Sequence, residues 1–314
     1  MNPVIEKNTT GSVPVYTVKK ILTDEETDQC LATFIEEKQY PVVLRKDADV
    51  YTEDGKLLLR FRKNVLSREK LEEAYEAMKK FLTRETTDRG VASGSDSGLG
   101  TGQKNKVMSN ILGYFDKWSI SQKATFKRYG VKSPGPCRLC VFNVQNPEKW
   151  KKIVPVIQEI NEQYELLCPN EYEEQRKAAK STPFHISGTA FSTVTTNLNF
   201  RTAAHRDSGD WPTGFGNLVV IERGSPYKGA YTGFPQYGVA VDCREGDFLA
   251  MDVHQVHGNS PMIPSDETSQ RVSLVSYLRE GIIKKCGNQK MYDAQELAKK
   301  IERARNRTRK VFKK

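Results

Sequence analysis

Residues 246–259 are Gly-Asp-Phe-Leu-Ala-Met-Asp-Val-His-Gln-Val-His-Gly-Asn, an apolar strand that follows a Gly-Asp turn and ends in two histidines. Similar strand-like runs, separated by Gly, Pro, Asn and Asp, occur from residue 184 to residue 278. Runs of this spacing favour an all-β sandwich or barrel over alternating βαβ units. We therefore predict an α+β protein with a double-stranded β-helix (jelly-roll) core, flanking helices and a basic C-terminal helix.

A candidate metal site precedes this strand. The motif His205-Arg206-Asp207 lies about fifty residues before His257. In an extended segment residues i and i+2 point to the same side, so the imidazole of His205 and the carboxylate of Asp207 can bind one ion together. Two histidines and one carboxylate occupy one face of an octahedral Fe(II) and leave its other positions open. The order of the motifs therefore favours an iron site that is completed by a histidine after residue 253.

Two histidines, His254 and His257, are available as the third ligand. His254 shares its strand face with Asp252. His257 shares its face with a more apolar set, which should point into a barrel: Leu249, Met251 and Val253. We therefore expect His257 to be the ligand. His254 and His185 are expected to be partly buried histidines that are satisfied by hydrogen bonds.

Arg271 begins the strand-like run 271–278, fourteen residues after His257. A guanidinium on a strand beside the metal site can bind the far carboxylate of 2-oxoglutarate through two parallel hydrogen bonds. Ser273 lies on the same strand face and can add a hydroxyl to that carboxylate. The motifs therefore occur in the order that a jelly-roll dioxygenase requires.

Around these residues the sequence resembles the TET/JBP family of Fe(II)- and 2-oxoglutarate-dependent dioxygenases, which oxidise the 5-methyl group of pyrimidines in DNA. The resemblance covers about residues 130–283 and is closer to the compact JBP-like, algal and viral members than to the animal enzymes. It implies that His205, Asp207 and His257 bind the iron and that Arg271 anchors 2-oxoglutarate. The segments that carry it, in the expected order, are residues 188–210, 215–220, 233–241, 246–259 and 271–279.

The function that the resemblance implies is oxidation of thymine or 5-methylcytosine in DNA, with Fe(II), 2-oxoglutarate and molecular oxygen. A base inside a duplex cannot reach a buried iron, so it must be flipped out, at a cost of a few kcal/mol. Asp210 and Asn197 are candidates to contact the base, although Asp210 could cap a turn and Asn197 could bond only the backbone. Trp211, Phe215 and Phe234 are candidates either to stack on the base or to belong to the core.

Two other functions are compatible with the same motifs. A related dioxygenase could hydroxylate RNA or a protein side chain with the same iron site and a different entrance. A jelly roll that has lost catalysis could bind nucleic acid through its basic tail. The presence of all four residues His205, Asp207, His257 and Arg271 argues against that last alternative.

The net charge of +10 is concentrated in the C-terminal tail. Residues 284–314 contain twelve Lys and Arg and three acidic residues, and so carry +9 of that charge. Apolar residues recur there at helical spacing, which predicts an amphipathic helix. Such a helix can bind nucleic-acid phosphate or an anionic membrane, or it can dock on its own domain through residues such as Leu297 and Ile301. We expect it to supply phosphate contacts.

Three regions are expected along the chain: an N-terminal α/β region at 1–130 that packs on the core, the jelly-roll core at 131–283, and the basic helix and tail at 284–314. In the first region, a capping box at Thr23 predicts a helix to about Lys38, and Ser67 caps a second helix.

Three further elements are expected. Residues 50–61 predict a hairpin, residues 148–167 a third helix, and residues 89–106, rich in Gly and Ser, a loop.

Composition favours an intracellular protein, in the nucleus of a eukaryote or otherwise in the cytoplasm, with no membrane partner. No apolar run approaches the ~20 residues that cross a bilayer, and the N-terminus lacks a secretory h-region. Six cysteines are too few for disulfides to stabilise a chain of 314 residues. This content fits a reducing compartment. Cys137 and Cys140 are interpreted as small apolar residues on a strand-like run, 137–142, rather than as zinc ligands. The oligomeric state is left open.

Overall fold

Helices and strands of a computed structural model are described over residues 2–95 and 105–311. The helices within these ranges are α1 (Asp24–Gln29), α2 (Arg68–Leu82), α3 (Ile120–Tyr129), α4 (Val141–Gln145), α5 (Pro147–Leu167), α6 (Pro169–Lys180), α7 (Glu280–Cys286) and α8 (Ala294–Val311). The strands are β1 (Val4–Thr10), β2 (Val13–Val18), β3 (Val42–Leu44), β4 (Ala48–Thr52), β5 (Leu57–Arg62), β6 (Ser109–Phe115), β7 (Arg138–Leu139), β8 (Thr193–Leu198), β9 (Gly216–Arg223), β10 (Tyr227–Gly229), β11 (Thr232–Phe234), β12 (Val239–Val241), β13 (Phe248–Met251), β14 (Gly258–Asn259), β15 (Met262–Pro264) and β16 (Gln270–Tyr277).

Most strands belong to two sheets. The larger sheet has the strand order β1-β2-β4-β5-β13-β9-β16-β8-β6-β7, and the smaller has the order β14-β11-β12-β3. β10 and β15 form a separate antiparallel pair. The predicted α+β architecture with a β-sandwich core and flanking helices is therefore confirmed.

Two hydrophobic clusters lie on the two faces of the larger sheet, because successive strand residues point to opposite sides. In β9, Leu218 and Val220 belong to the cluster between the sheets, whereas Val219 and Ile221 belong to the cluster beneath α2 and α5. The inter-sheet cluster is the interior of the barrel. It contains the apolar set that was expected to point inward: Leu249, Met251 and Val253.

Strand pairing crosses residue 130 at several places. β3 pairs with β12 in the smaller sheet, and β5 and β6 pair with β13 and β8 in the larger sheet. The N-terminal region thus completes both sheets and does not merely pack on a finished core. The boundaries at 130 and 283 stay predictions; neither sheet breaks at 130, and residue 283 lies within α7.

The capping box at the start of α1 is confirmed, but the predicted length of this helix is wrong. The hydroxyl of Thr23 accepts from the N–H of Glu26, whose carboxylate accepts in return from the N–H of Thr23. The helix ends at Gln29 and not near residue 38. Ala32 adopts a left-handed φ of 63°, which a helix does not allow, and its N–H donates to the carbonyl of Ala204 at 2.9 Å. A tertiary backbone contact therefore ends the helix.

The other N-terminal elements agree with the sequence. β4 and β5 form the expected antiparallel hairpin. Ser67 caps α2, and α5 extends over the predicted third helix. Of the predicted loop, residues 90–93 form a short 3-10 turn, and residues 96–104 lie outside the described residues.

Ser67→Ala is expected to lower the free energy of unfolding by about 1 kcal/mol. The Oγ of Ser67 accepts from the N–H of Lys70 at 3.3 Å and satisfies one of the first N–H groups of α2. Chemical denaturation monitored by circular dichroism measures the change. Ser67→Thr retains the acceptor and is the control; an equal loss in both variants would contradict the capping interpretation.

The cysteines differ from expectation at one point. Cys137 and Cys286 form a disulfide with a Cα–Cα distance of 6.0 Å, which joins the segment before β7 to the end of α7. The predicted strand-like run 137–142 is only partly extended, because β7 is two residues long and α4 begins at Val141. Cys140 is buried and unpaired, as expected for a small apolar residue.

The basic tail contains the predicted helix, which is α8. The short helix α7 precedes it in the chain and ends at Cys286. Residues 312–314 lie outside the described residues, and so do the side chains of residues 309–311. Within the described ranges, no helix has the length and apolar character that a transmembrane segment needs.

Candidate active site

The two segments that carry the candidate metal ligands meet through their backbones. His205 and His257 form an antiparallel bridge in which each N–H donates to the carbonyl of the other, at 2.9 and 3.0 Å. The N–H of Asp207 donates to the carbonyl of Val253 at 3.0 Å. These bonds fix the His-x-Asp motif against the segment that follows β13.

Three side chains converge at this bridge. Nε2 of His205 lies 3.6 Å from Oδ1 of Asp207, and Nε2 of His257 lies 3.7 Å from Oδ2 of the same carboxylate. One donor atom from each residue lies within 4.8 Å of the other two. Such spacing suits a single metal ion.

Backbone carbonyls orient both imidazoles. Nδ1 of His205 lies 2.7 Å from the carbonyl oxygen of Ala203, and Nδ1 of His257 lies 3.0 Å from that of Gln255. Because a carbonyl can only accept, Nδ1 carries the proton and Nε2 keeps its lone pair for an ion. Burial, together with the neighbouring His205, lowers the pKa of His257 from 6.5 to about 4, so this ring is neutral at physiological pH.

The structure brings His257 to Asp207 and leaves His254 outside the cluster. Nε2 of His254 lies 3.1 Å from a backbone carbonyl oxygen, and Nδ1 of His185 lies 2.8 Å from another, so both make the expected hydrogen bonds. β13 nevertheless ends at Met251, and a turn follows it. The strand alternation that selected His257 therefore does not itself reach residue 257.

Arg271 is a buried cation inside the barrel, with 6% of its surface exposed. Its Nε and Nη2 make no hydrogen bond to any described residue. Its backbone is fixed by Asn199, whose Oδ1 accepts from the Arg271 N–H at 2.7 Å. An unpartnered buried guanidinium is costly, and a carboxylate has the two oxygens that match its geometry. Arg271 therefore fits a carboxylate ligand.

A second unpartnered group lies near Arg271. The hydroxyl of Tyr227, on β10, is buried and makes no hydrogen bond within the described residues. Burial raises the pKa of this hydroxyl well above its ordinary value, and the charge of Arg271 opposes that rise. Sequence analysis missed Tyr227, because no local pattern indicates that its hydroxyl is buried without a partner.

Asn197 lies on β8 between two serines. Its Oδ1 accepts from the hydroxyl of Ser109, and its Nδ2 donates to Oγ of Ser273 at 3.2 Å. Ser273 is therefore bonded to Asn197, although it was expected to add a hydroxyl beside Arg271. That the side chain of Asn197 contacts a base stays a prediction.

Asp210 is buried close to Asp207. Its N–H donates to the carbonyl of Asp207 at 3.1 Å, and its backbone forms a bridge with Arg279. Burial and the charge of Asp207 raise the pKa of Asp210 well above its ordinary value, whereas Arg279 lowers it. A carboxyl that keeps its proton can donate a hydrogen bond. Contact between Asp210 and a base stays a prediction.

A cavity of about 920 Å³ is lined in part by Ser109, the hydrogen-bond partner of Asn197. Its lining includes Arg89, Ser109 and Trp118 but none of the three candidate ligands. Arg89 is part of the cavity wall, and its buried Nε has no hydrogen-bond partner among the described residues. No local pattern in the sequence indicates that Arg89 lines this cavity.

The aromatic candidates have different positions. Phe215 is buried in the cluster beneath the helices, so it is a core residue. Phe234 is fully buried inside the barrel, with its ring centroid 6.3 Å from that of His257. Trp211 is partly exposed, and its buried Nε1 has no hydrogen-bond partner among the described residues.

The barrel thus holds two histidines and a carboxylate within 4.8 Å of one another, together with a buried and unpartnered arginine. Neutral imidazoles and a carboxylate suit Fe(II), and the guanidinium suits the carboxylate of 2-oxoglutarate. The site therefore has the residue types that an Fe(II)- and 2-oxoglutarate-dependent dioxygenase domain requires. Residues 126–280 match the Tet_JBP family, the oxygenase domain of the 2OGFeDO superfamily. These residues are just under half of the chain, and the superfamily named for the match implies Fe(II) and 2-oxoglutarate as cofactors.

Curated relatives of this chain are considerably longer. It is 33% identical over 147 residues to the bifunctional helicase and thymine dioxygenase JBP2 of Leishmania braziliensis. The aligned residues are 47% of this chain and 13% of that protein. It is 31% identical over 176 residues to the thymine dioxygenase JBP1 of Trypanosoma brucei brucei, covering 55% of this chain and 19% of that protein. The chain thus spans less than a quarter of the length of either relative.

A solved structure, NgTET1 in complex with 5mC DNA, has the same fold. The TM-score is 0.53 at 14% sequence identity, and the superposition covers 90% of this chain and 99% of that one. At this identity the likeness establishes the fold alone. It confirms the predicted double-stranded β-helix.

Proposed function

We propose that this protein oxidises the 5-methyl group of thymine or 5-methylcytosine in DNA, with Fe(II), 2-oxoglutarate and molecular oxygen. The observation that carries the proposal is the cluster of His205, Asp207 and His257 in a barrel that also holds the unpartnered guanidinium of Arg271. The Tet_JBP match and the thymine dioxygenase activity named for the relatives support DNA as the substrate.

In this proposal His205, Asp207 and His257 hold the iron, and Arg271 anchors 2-oxoglutarate. Bound Fe(II) would supply the oxygen-activating chemistry of this superfamily. Backbone carbonyls accept hydrogen bonds from the two Nδ1–H groups, so both Nε2 lone pairs would be available to the ion. The paired N–H donors of the Arg271 guanidinium orient 2-oxoglutarate by binding the carboxylate that lies farther from the iron.

Asp210 and Asn197 are proposed to contact the target base. Asp210, with its raised pKa, would donate a proton in a hydrogen bond to a carbonyl or ring nitrogen of the base. Asn197 would contact the base from the barrel wall, where it connects Ser109, which lines the cavity, with Ser273 inside the barrel. A duplex base reaches this site only after it has been flipped out.

The proposed reaction has a fixed stoichiometry. One methyl group, one 2-oxoglutarate and one O₂ yield one hydroxymethyl group, one succinate and one CO₂. A DNA substrate also favours a protein that acts inside the cell, in the nucleus of a eukaryote or in the cytoplasm of a prokaryote.

The substrate is tested by supplying the protein, Fe(II) and 2-oxoglutarate with four matched substrates: thymine-containing DNA, DNA with 5-methylcytosine, RNA and a peptide pool. We expect a 5-hydroxymethyl nucleoside from at least one of the DNA substrates, as detected by mass spectrometry, and none in reactions without 2-oxoglutarate. Oxidised RNA or peptide with unmodified DNA would overturn the proposed substrate. No product and no succinate from any substrate would instead support a catalytically inactive jelly roll.

A further inference from the structure

Helices α3 and α8 form a two-helix layer at the edge of the domain. α8 packs against α3. The half-buried residues of α8 other than Glu296 recur at helical spacing and therefore form one face: Ala294, Leu297, Ile301, Ala304 and Thr308. Trp118, just before α3, has its ring 4.8 Å from that of Phe126 and 6.3 Å from that of Tyr292. These contacts seat α8 at a defined position.

The outer surface of this layer is strongly basic. The exposed basic residues, here called the α3–α8 basic face, are Lys123, Lys127, Arg128, Lys299, Lys300, Arg303, Arg305 and Arg307. The two helices contain two acidic residues, Glu296 and Glu302. Within the described part of the chain, Arg303 is the only member of the face in an ion pair, 3.5 Å from Glu296. The positive charge is therefore left for an external partner.

This face adjoins the cavity near the candidate site. The cavity lining includes the start of α3, from Ser119 to Lys123, and the cations Lys117, Arg138 and Arg89. Ser109 also lines this cavity, and its hydroxyl donates to Asn197 inside the barrel. Positive side chains therefore continue from the outer surface of α3 into the cavity, one wall of which is bonded to the interior of the barrel.

The apolar residues of α8 argue against a membrane as the partner. A helix that lies in a bilayer interface needs an exposed apolar face. Leu297 and Ile301 are instead half-buried on the side of the helix that packs, and no large apolar side chain within the described part of α8 is among the exposed ones. Regularly spaced positive charges without such a face match the phosphates of a nucleic acid.

We propose that the α3–α8 basic face binds the phosphate backbone of duplex DNA on one side of the flipped base. This inference rests on the proposed function for its choice of DNA. α8 and its basic residues lie outside residues 126–280 that match the oxygenase family, whereas Lys127 and Arg128 of α3 lie within them. The contacts would be independent of sequence and would offset part of the cost of flipping.

The test is the salt dependence of DNA binding by the full chain. The variant Lys299→Gln/Lys300→Gln/Arg305→Gln/Arg307→Gln removes four charges while keeping good helix formers. Each lost phosphate contact makes the slope of log affinity against log salt shallower by about 0.9, so two to four contacts predict a change of roughly 1.8–3.6. Fluorescence anisotropy with a labelled duplex measures the slope without turnover.

A matched control removes the same charge elsewhere. Lys80→Gln/Lys149→Gln/Lys177→Gln/Lys180→Gln changes four exposed lysines, on α2, α5 and α6, none of which is in an ion pair within the described residues. We expect its slope to remain that of the unmodified protein. Equal slopes for all three proteins, or equal changes in both variants, would overturn the inference.

A second variant protects the test against misfolding of α8. Lys123→Gln/Lys127→Gln/Arg128→Gln alters only α3 and is expected to make the slope shallower as well.

Two further measurements separate this inference from its alternatives. If the protein binds anionic phospholipid vesicles, the α8 variant loses that binding and the DNA slope does not change, the partner is a membrane and the inference is wrong. Nucleoside oxidation at saturating DNA and low salt is measured separately. Its absence, with a changed slope, would refute the proposed function and leave the DNA surface intact.

Discussion

Replacing Asp207 with alanine is expected to abolish methyl oxidation, with a loss of more than about 100-fold. Loss of a partner outside the ligand set typically costs about 10- to 100-fold in metal affinity or activity, and loss of a ligand should exceed this. Both Nε2 atoms, of His205 and His257, lie within 3.7 Å of the Asp207 carboxylate, so its removal takes away the group between the two rings. Metal content by mass spectrometry and nucleoside analysis measure the two effects.

The histidines provide the matched comparison. His257→Ala should lose metal and turnover together, whereas His254→Ala should keep both, because its Nε2 faces a backbone carbonyl and not the cluster. Circular dichroism of each variant checks that the fold is retained. Loss of metal in His254→Ala with retention in His257→Ala would show that the ligand assignment is wrong.

Arg271→Lys is expected to raise the apparent constant for 2-oxoglutarate by roughly 10- to 150-fold and that for DNA far less. A lysine keeps the charge but cannot present two parallel N–H donors, and the loss of one charge-assisted hydrogen bond costs about 1.5–3 kcal/mol. The unpartnered Nε and Nη2 of Arg271 are the donors at stake. Initial rates measured at varied 2-oxoglutarate and at varied DNA separate the two constants.

Arg223→Lys is the control for that change. Arg223 lies on the neighbouring strand β9, pairs with the carboxylates of Glu72 and Glu245 and stacks on Tyr75. The same substitution there should leave both constants close to those of the unmodified protein. Equal increases of the two constants in Arg271→Lys would indicate a structural role for Arg271.

Local patterns were sufficient to predict much of the fold. The alternation of Leu249 and Met251 with Phe248 and Ala250 places the first pair inside the barrel and the second beneath the helices. Capping signals at Thr23 and at Ser67, before α2, also appear as predicted. Such features depend on neighbouring residues in one strand or one turn, so the sequence contains the information directly.

Features that depend on distant contacts were not predictable. α1 ends early because Ala32 bonds to the backbone of Ala204, and β3 joins the smaller sheet beside β12. Both contacts join residues more than 170 positions apart.

The surroundings of the candidate site also depend on contacts between residues that are distant in the sequence. The burial of the Tyr227 hydroxyl and the position of Arg89 in the cavity wall arise from tertiary packing alone. The motif order indicated which residues form the site, whereas only the folded chain shows what surrounds them.

The most direct test of the proposed activity is a count of products in a single reaction. The protein is incubated with DNA that contains a methylated pyrimidine, Fe(II) and isotope-labelled 2-oxoglutarate, and labelled succinate and 5-hydroxymethyl nucleoside are quantified together by mass spectrometry. We predict equal amounts of the two while the first oxidation step dominates, and neither product with Asp207→Ala. Succinate that forms at the same rate with and without DNA, with no modified nucleoside, would contradict the assignment of this site to the oxidation of DNA bases.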